Sequence, residues 1–88
     1  MIIEVTRKFK KQVNACRDSA IRALIGKIIE EAISAQRLSE IKHLKKLKGS
    51  GNCFRIKLGN YRIGLKILND TVIFSAFDHR SEIYKYFP

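Results

Sequence analysis

Four cations are set between apolar residues in Cys53–Leu68, CFRIKLGNYRIGLKIL: Arg55, Lys57, Arg62 and Lys66, with no acid among them. Just beyond it, FDHRSEIYKYF offers His79, Arg80, Tyr84 and Tyr86 within eight residues. These side chains suit phosphodiester chemistry. Cleavage of RNA requires a 2′-OH to lose its proton, a dianionic phosphorane to be stabilised and the leaving 5′-oxygen to be protonated. Clustered Arg and Lys meet the second need and can lower the pKa of a neighbouring Tyr or Lys. A tyrosine can alternatively stack on a base. No group of acids forms a metal site, so the expected chemistry uses no metal and no other cofactor.

The charge balance points the same way. Lys and Arg number 18 against 8 Asp and Glu, a net charge of +10. From Ile41 to Lys66 there are eight basic residues (Lys42, Lys45, Lys46, Lys48, Arg55, Lys57, Arg62 and Lys66) and no acidic ones. Such self-repulsion costs stability, and a polyanionic partner offsets it; plain solubility is the blander explanation. The 88 residues suit a single domain, 1–88, with a small core. No apolar run is long enough to span a bilayer, and the opening MIIEVTRKFKK reverses the order of a secretory leader. The expectation is a cytoplasmic protein with no membrane partner. Cys16 and Cys53 fit no metal-ligand spacing and read as small buried hydrophobes.

The elements that must position these groups can be read from periodicity. Ile2–Val5 suits a strand, and Thr6 suits the N-cap of a helix carrying Phe9, Val13 and Cys16 on one face. Asp18-Ser19 interrupts that pattern and can cap a second helix. There Ile21, Leu24, Ile25, Ile28, Ile29, Ala32 and Ile33 follow the helical template, predicting an antiparallel helical hairpin. Leu38, Ile41, Leu44 and Leu47 alternate with lysines and can cover a core edge, and Gly49–Asn52 is a loop. The period then becomes two. Cys53–Leu58, Tyr61–Leu68 and Thr71–Asp78 read as strands joined by the two-residue turns Gly59-Asn60 and Asn69-Asp70.

Two-residue turns fix register. The first sets Leu58 against Tyr61, Ile56 against Ile63 and Phe54 against Leu65 on an apolar side that should meet the helices. The reverse side then carries Lys57 against Arg62, Arg55 against Gly64 and Cys53 against Lys66. The second turn places Val72, Phe74 and Ala76 on the core side, and Ile73, Ser75 and Phe77 with the cations. Like charges face to face cost some tenths of a kcal/mol. A glycine inside a strand weakens it and often marks close approach by a ligand or another backbone. Gly64 and Ser75 are therefore expected to floor a phosphate-binding face.

The order strand, helical hairpin, LKKLKG, the FRIKLGNYRI hairpin, a further strand and HRSEIY resembles the RelE branch of the RelE/ParE toxins of bacterial type II toxin–antitoxin systems. The resemblance implies an α+β fold (β-α-α-β-β-β), with the helical hairpin on one face of a small antiparallel sheet. It also implies a ribosome-dependent, metal-independent endoribonuclease that cuts mRNA in the A site, against 16S rRNA, and is silenced by a cognate antitoxin. In that family Arg55 and Lys57 fall on positions that contact the phosphate and assist proton transfer. Arg62 falls on the arginine that stabilises the transition state, and Tyr84 on the tyrosine that orients the 2′-OH and stacks on a base. Ungapped alignment sets Asp78 where the family has a last catalytic arginine, leaving Arg80 for that role or His79 as the acid. Lys45, Lys46, Lys48, Lys66 and His79 are the expected RNA contacts. ParE-like toxins, which share the fold and inhibit DNA gyrase, are the alternative, and a non-catalytic nucleic-acid-binding module is the third.

Overall fold

The computed structural model describes residues 1–88. Strand β1 (Ile2–Val5) leads into helices α1 (Arg7–Ala15) and α2 (Ser19–Ser34). Strands β2 (Leu44–Lys46), β3 (Cys53–Leu58), β4 (Tyr61–Leu68) and β5 (Thr71–His79) follow, with 3-10 turns at Leu38–Glu40 and Ile83–Lys85. The expected α+β outline holds with two additions. Lys-rich β2 pairs with β3, and β1 runs parallel to β5, so the five-stranded sheet is mixed, in the order β1-β5-β4-β3-β2.

Both helices start where the sequence provides caps. The Thr6 hydroxyl accepts from Phe9 N at 3.1 Å, and Asp18 Oδ1 accepts from Ala20 N and Ile21 N at 3.0 and 3.1 Å. Each cap satisfies donors that the first turn of a helix leaves unpaired. The helices cover one face of the sheet, and Phe9, Ile25, Ile56, Ile63, Leu65, Val72 and Phe74 form the main core beneath them. The Phe9 and Phe74 rings meet at 5.5 Å and tilt by 60°. The apolar stripe of α2 is wider than the contact it makes: Ile25 and Ala32 are buried, while Leu24 and Ile33 remain 45% and 56% exposed.

Both hairpin turns form as expected, with Gly59 (φ 61°) and Asn69 (φ 54°) in the left-handed region that such turns require. The β3–β4 pairing has the expected register throughout, from Cys53 opposite Lys66 to Leu58 opposite Tyr61. The β4–β5 pairing has it only as far as Leu65 opposite Phe74. Gly64 then faces Ala76, so Ser75 is an extra residue forming a β-bulge. Beyond that point the parity of β5 reverses, which corrects the expected faces of two residues. Phe77 joins the helix-covered core beside Ile63, and Ala76 lies on the open face with Cys53. The bulge sits where β1 ends and α1 turns away from the sheet. The Thr6 hydroxyl donates to Ser75 O at 3.1 Å, and Gln12 Oε1 accepts from Phe77 N at 3.0 Å. Two side chains thus serve backbone groups that a longer β1 would have paired.

Candidate functional site

The open face of the sheet gathers the cations in rows. Strand parity puts Lys45, Arg55 and Gly64 in one row, Lys57 opposite Arg62 in the next, and Lys66 beside Cys53. Two of these side chains are held by backbone carbonyls. Arg55 Nη1 donates to His43 O at 3.1 Å, a carbonyl presented by a residue with φ 64°. Arg62 Nη1 donates to Gly59 O and Tyr61 O at 2.9 and 2.8 Å, leaving its Nε and Nη2 without protein partners. The ion pairs of the chain are Arg37–Glu40 and Lys85–Glu82, so neither arginine is neutralised by an acid. Carbonyl tethers reduce the mobility of a guanidinium and leave its charge intact, an arrangement suited to phosphate.

The tail crosses this face. Ile83 and Phe87 join Cys53 and Ala76 in a second small core, with Leu47 packed against it. The Phe87 ring lies directly on Gly64, where an added Cβ would come within 2.7 Å of ring atoms Cδ2 and Cε2. Gly64 is therefore not the open floor expected from the sequence. The close approach its missing side chain permits is made by this chain's own phenylalanine. Tyr84 is 49% exposed and its phenol has no hydrogen-bond partner.

Tyr86 is also exposed, at 39%, but unlike Tyr84 its hydroxyl is held. Its hydroxyl donates to Asp78 Oδ2 at 2.9 Å and accepts from Gln12 Nε2 at 2.6 Å, while the Lys8 ammonium sits 3.8 Å from the ring centroid. Burial raises the pKa of this phenol, the Gln12 hydrogen bond opposes the rise, and the neighbouring Asp78 and Glu82 charges add to it. Asp78, set opposite Arg62 by the bulge, is thus committed to the tail.

Not every expected residue reaches this face. Lys46 pairs with Phe54 and so has the opposite parity, and Lys48 lies beyond β2 on the way to the Gly49 loop. His79 pairs with Tyr61 on the helix-covered side, its ring edge-on to that tyrosine at 5.8 Å and its Nδ1 2.8 Å from Ser81 Oγ. Arg80 is exposed in the turn after β5, where its N–H donates to Asn60 O at 2.8 Å. Reading the sequence alone missed the Gln12–Tyr86–Asp78 clasp and the seat of Phe87. The spacing of Ile83 and Phe87, one helical turn apart, was the available signal for the latter.

Comparison with known proteins agrees with this architecture. A family described as ParE toxin of type II toxin-antitoxin system, parDE, matches residues 3–84. Toxin RelE3 of Methanocaldococcus jannaschii is 48% identical over 69 residues, 77% of this chain and 78% of that protein. The toxin of the RelB-RelE antitoxin-toxin complex from Methanococcus jannaschii superposes with a TM-score of 0.82 at 40% identity, covering 97% of this chain and 99% of that one. The intact E. coli RelBE complex gives a TM-score of 0.69 at 20% identity over 89% and 94% of the two chains, a likeness of fold. A sheet covered by helices on one side and lined with unpaired cations on the other is therefore found in a chain that belongs to the ParE toxin family of type II toxin–antitoxin systems.

Proposed function

We propose that this toxin is a RelE-type endoribonuclease that cleaves mRNA in the ribosomal A site and so arrests translation. One observation carries the reading: Arg55, Lys57 and Arg62 share the open face with no acidic partner, and the tail beside them leaves the Tyr84 phenol free. In the proposed reaction Tyr84 orients the 2′-OH, whose oxygen attacks the adjacent phosphorus as its proton passes to a solvent water. The resulting dianionic phosphorane is held by Arg55 and Arg62. The P–O5′ bond then breaks, giving a 2′,3′-cyclic phosphate and a 5′-OH. Lys57, the ammonium opposite Arg62, is the proton donor to that oxygen, because a guanidinium holds its protons too tightly. Lys45 and Lys66, on the same face, serve as phosphate contacts.

The partner proposed for the free toxin is a cognate antitoxin, as in the RelB-RelE complexes that this chain resembles. An acidic or amphipathic segment would offset its +10 charge. The decisive experiment is induced expression with primer-extension mapping of mRNA ends. Arg62→Ala and Tyr84→Phe should each lower cleavage about a hundredfold with circular dichroism unchanged; full toxicity in both variants refutes the assignment. A gyrase-directed toxin is the second reading, favoured by the ParE description of the matching family. It requires DNA synthesis to fail before protein synthesis, which pulse-labelling just after induction resolves. A toxin that stops neither on expression would be a binding module without catalysis.

A further inference from the structure

We infer that Phe87 is a positioning residue for Tyr84: its ring, seated on Gly64, locks the tail so that the Tyr84 phenol stands beside the cationic rows. This inference rests on the ribonuclease reading proposed above and assigns that same site a second, non-reacting part.

The tail between Ile83 and Phe87 is one closed helical turn. Phe87 N donates to Ile83 O at 2.9 Å, and Tyr86 N donates to the same carbonyl at 3.2 Å. Residues four apart on such a turn share a face, and here both are buried, Ile83 at 1% exposure and Phe87 at 5%. Tyr86 is tied sideways to Asp78 and Gln12. Three of the tail's apolar or aromatic side chains are thus fixed, and Tyr84 is the one left unattached. The backbone that carries Tyr84 is thus held at both ends of its turn, and effective orientation of the phenol starts from that restriction.

The socket is built from the sheet outward. The Ser75 bulge brings Ala76 opposite Gly64, with Cys53 one row away, so three small residues make a depression on the open face. Arg55 is the cross-strand neighbour of Gly64, which places the seated ring within the cationic row. Gly64 lies in a strand without a positive φ, and the three atoms nearest its Cβ position all belong to the Phe87 ring, Cγ at 2.9 Å and Cδ2 and Cε2 at 2.7 Å. Gly64→Ala therefore acts as a wedge that lifts Phe87.

The test is a double-mutant cycle read by cleavage of ribosome-bound mRNA, together with labelling of Cys53, which shares the small core with Phe87. Phe87→Ala and Gly64→Ala should each lower the cleavage rate about tenfold, leaving affinity for ribosomes carrying a 2′-deoxy, uncleavable mRNA within about twofold. In a Tyr84→Phe background, Phe87→Ala should cost nothing further, since it acts through that phenol. Both latch variants should expose the Cys53 thiol to a maleimide about tenfold faster than in the wild type, and Gly64→Ala should add nothing once Phe87 is alanine. Independent, additive losses in the cycle would overturn the inference and leave Phe87 a structural residue. So would wild-type cleavage by a variant whose Cys53 has become reactive. Wild-type protein that cuts no mRNA would refute the ribonuclease reading, and the Cys53 labelling then decides by itself whether the latch exists.

Discussion

The Thr6 hydroxyl joins three parts of the molecule. It accepts from Phe9 N to start α1, and it donates to Ser75 O to hold the bulge against the end of β1. Thr6→Ala removes both bonds and leaves a part-buried carbonyl without its donor, so a loss of about 2 kcal/mol is expected. Thr6→Ser keeps the hydroxyl and should lose under about 0.5 kcal/mol; urea unfolding of the pair is the check. Tyr86 makes a prediction about pH. Its folded pKa lies above the ordinary phenol value, so the clasp contributes in full below that ordinary value and is lost as the pH rises through the folded one. The phenolate cannot donate to Asp78 and is repelled by it, whereas Lys8 over the ring partly offsets that repulsion. The stability gap between wild type and Tyr86→Phe should be constant up to about pH 10 and then shrink. A gap independent of pH across that range would show that the fold does not favour the phenol over the phenolate.

At the scale of elements, much was legible wherever the chain specifies itself locally. The caps at Thr6 and Asp18, the turns at Gly59-Asn60 and Asn69-Asp70, and the β3–β4 register all follow from neighbouring residues. The cationic rows were legible for the same reason, because two-residue turns leave no freedom in parity. What could not be read depends on distant partners. β1 chooses β5 only after two helices have intervened, and β2 is three residues whose lysines conceal its strand character. The Ser75 bulge has no glycine to announce it and exists because α1 leaves the sheet there. The tail latch is formed across the sheet by Phe87, which sequence patterning cannot connect to Gly64. Since Ser75 is the unpaired extra residue, its deletion should keep Gly64 opposite Ala76 and Ile63 opposite Phe77. The variant should fold, losing about 1–2 kcal/mol with the Thr6 bond. Deleting Ile73 instead would throw Val72 or Phe74 off the core face and should abolish cooperative unfolding. Equal outcomes for the two deletions would contradict the bulge.

The whole molecule carries +10, yet its ion pairs are both short-range and exposed, so the charge is spent on neither folding nor internal neutralisation. If the open face is where a polynucleotide lies, the sites of counterion release should map onto it. Single-stranded RNA gives a slope of about −0.7 in log K against log salt for each phosphate neutralised. Lys45→Gln and Lys66→Gln, both on the open face, should each make the slope shallower by about that amount. Arg22→Gln, on the exposed side of α2, should leave it unchanged although it removes the same formal charge. Fluorescence anisotropy on a short RNA across a salt series distinguishes a local face from general attraction. Three equal changes in slope would mean that RNA responds only to net charge, and the ordered rows on the sheet would then have no role in binding.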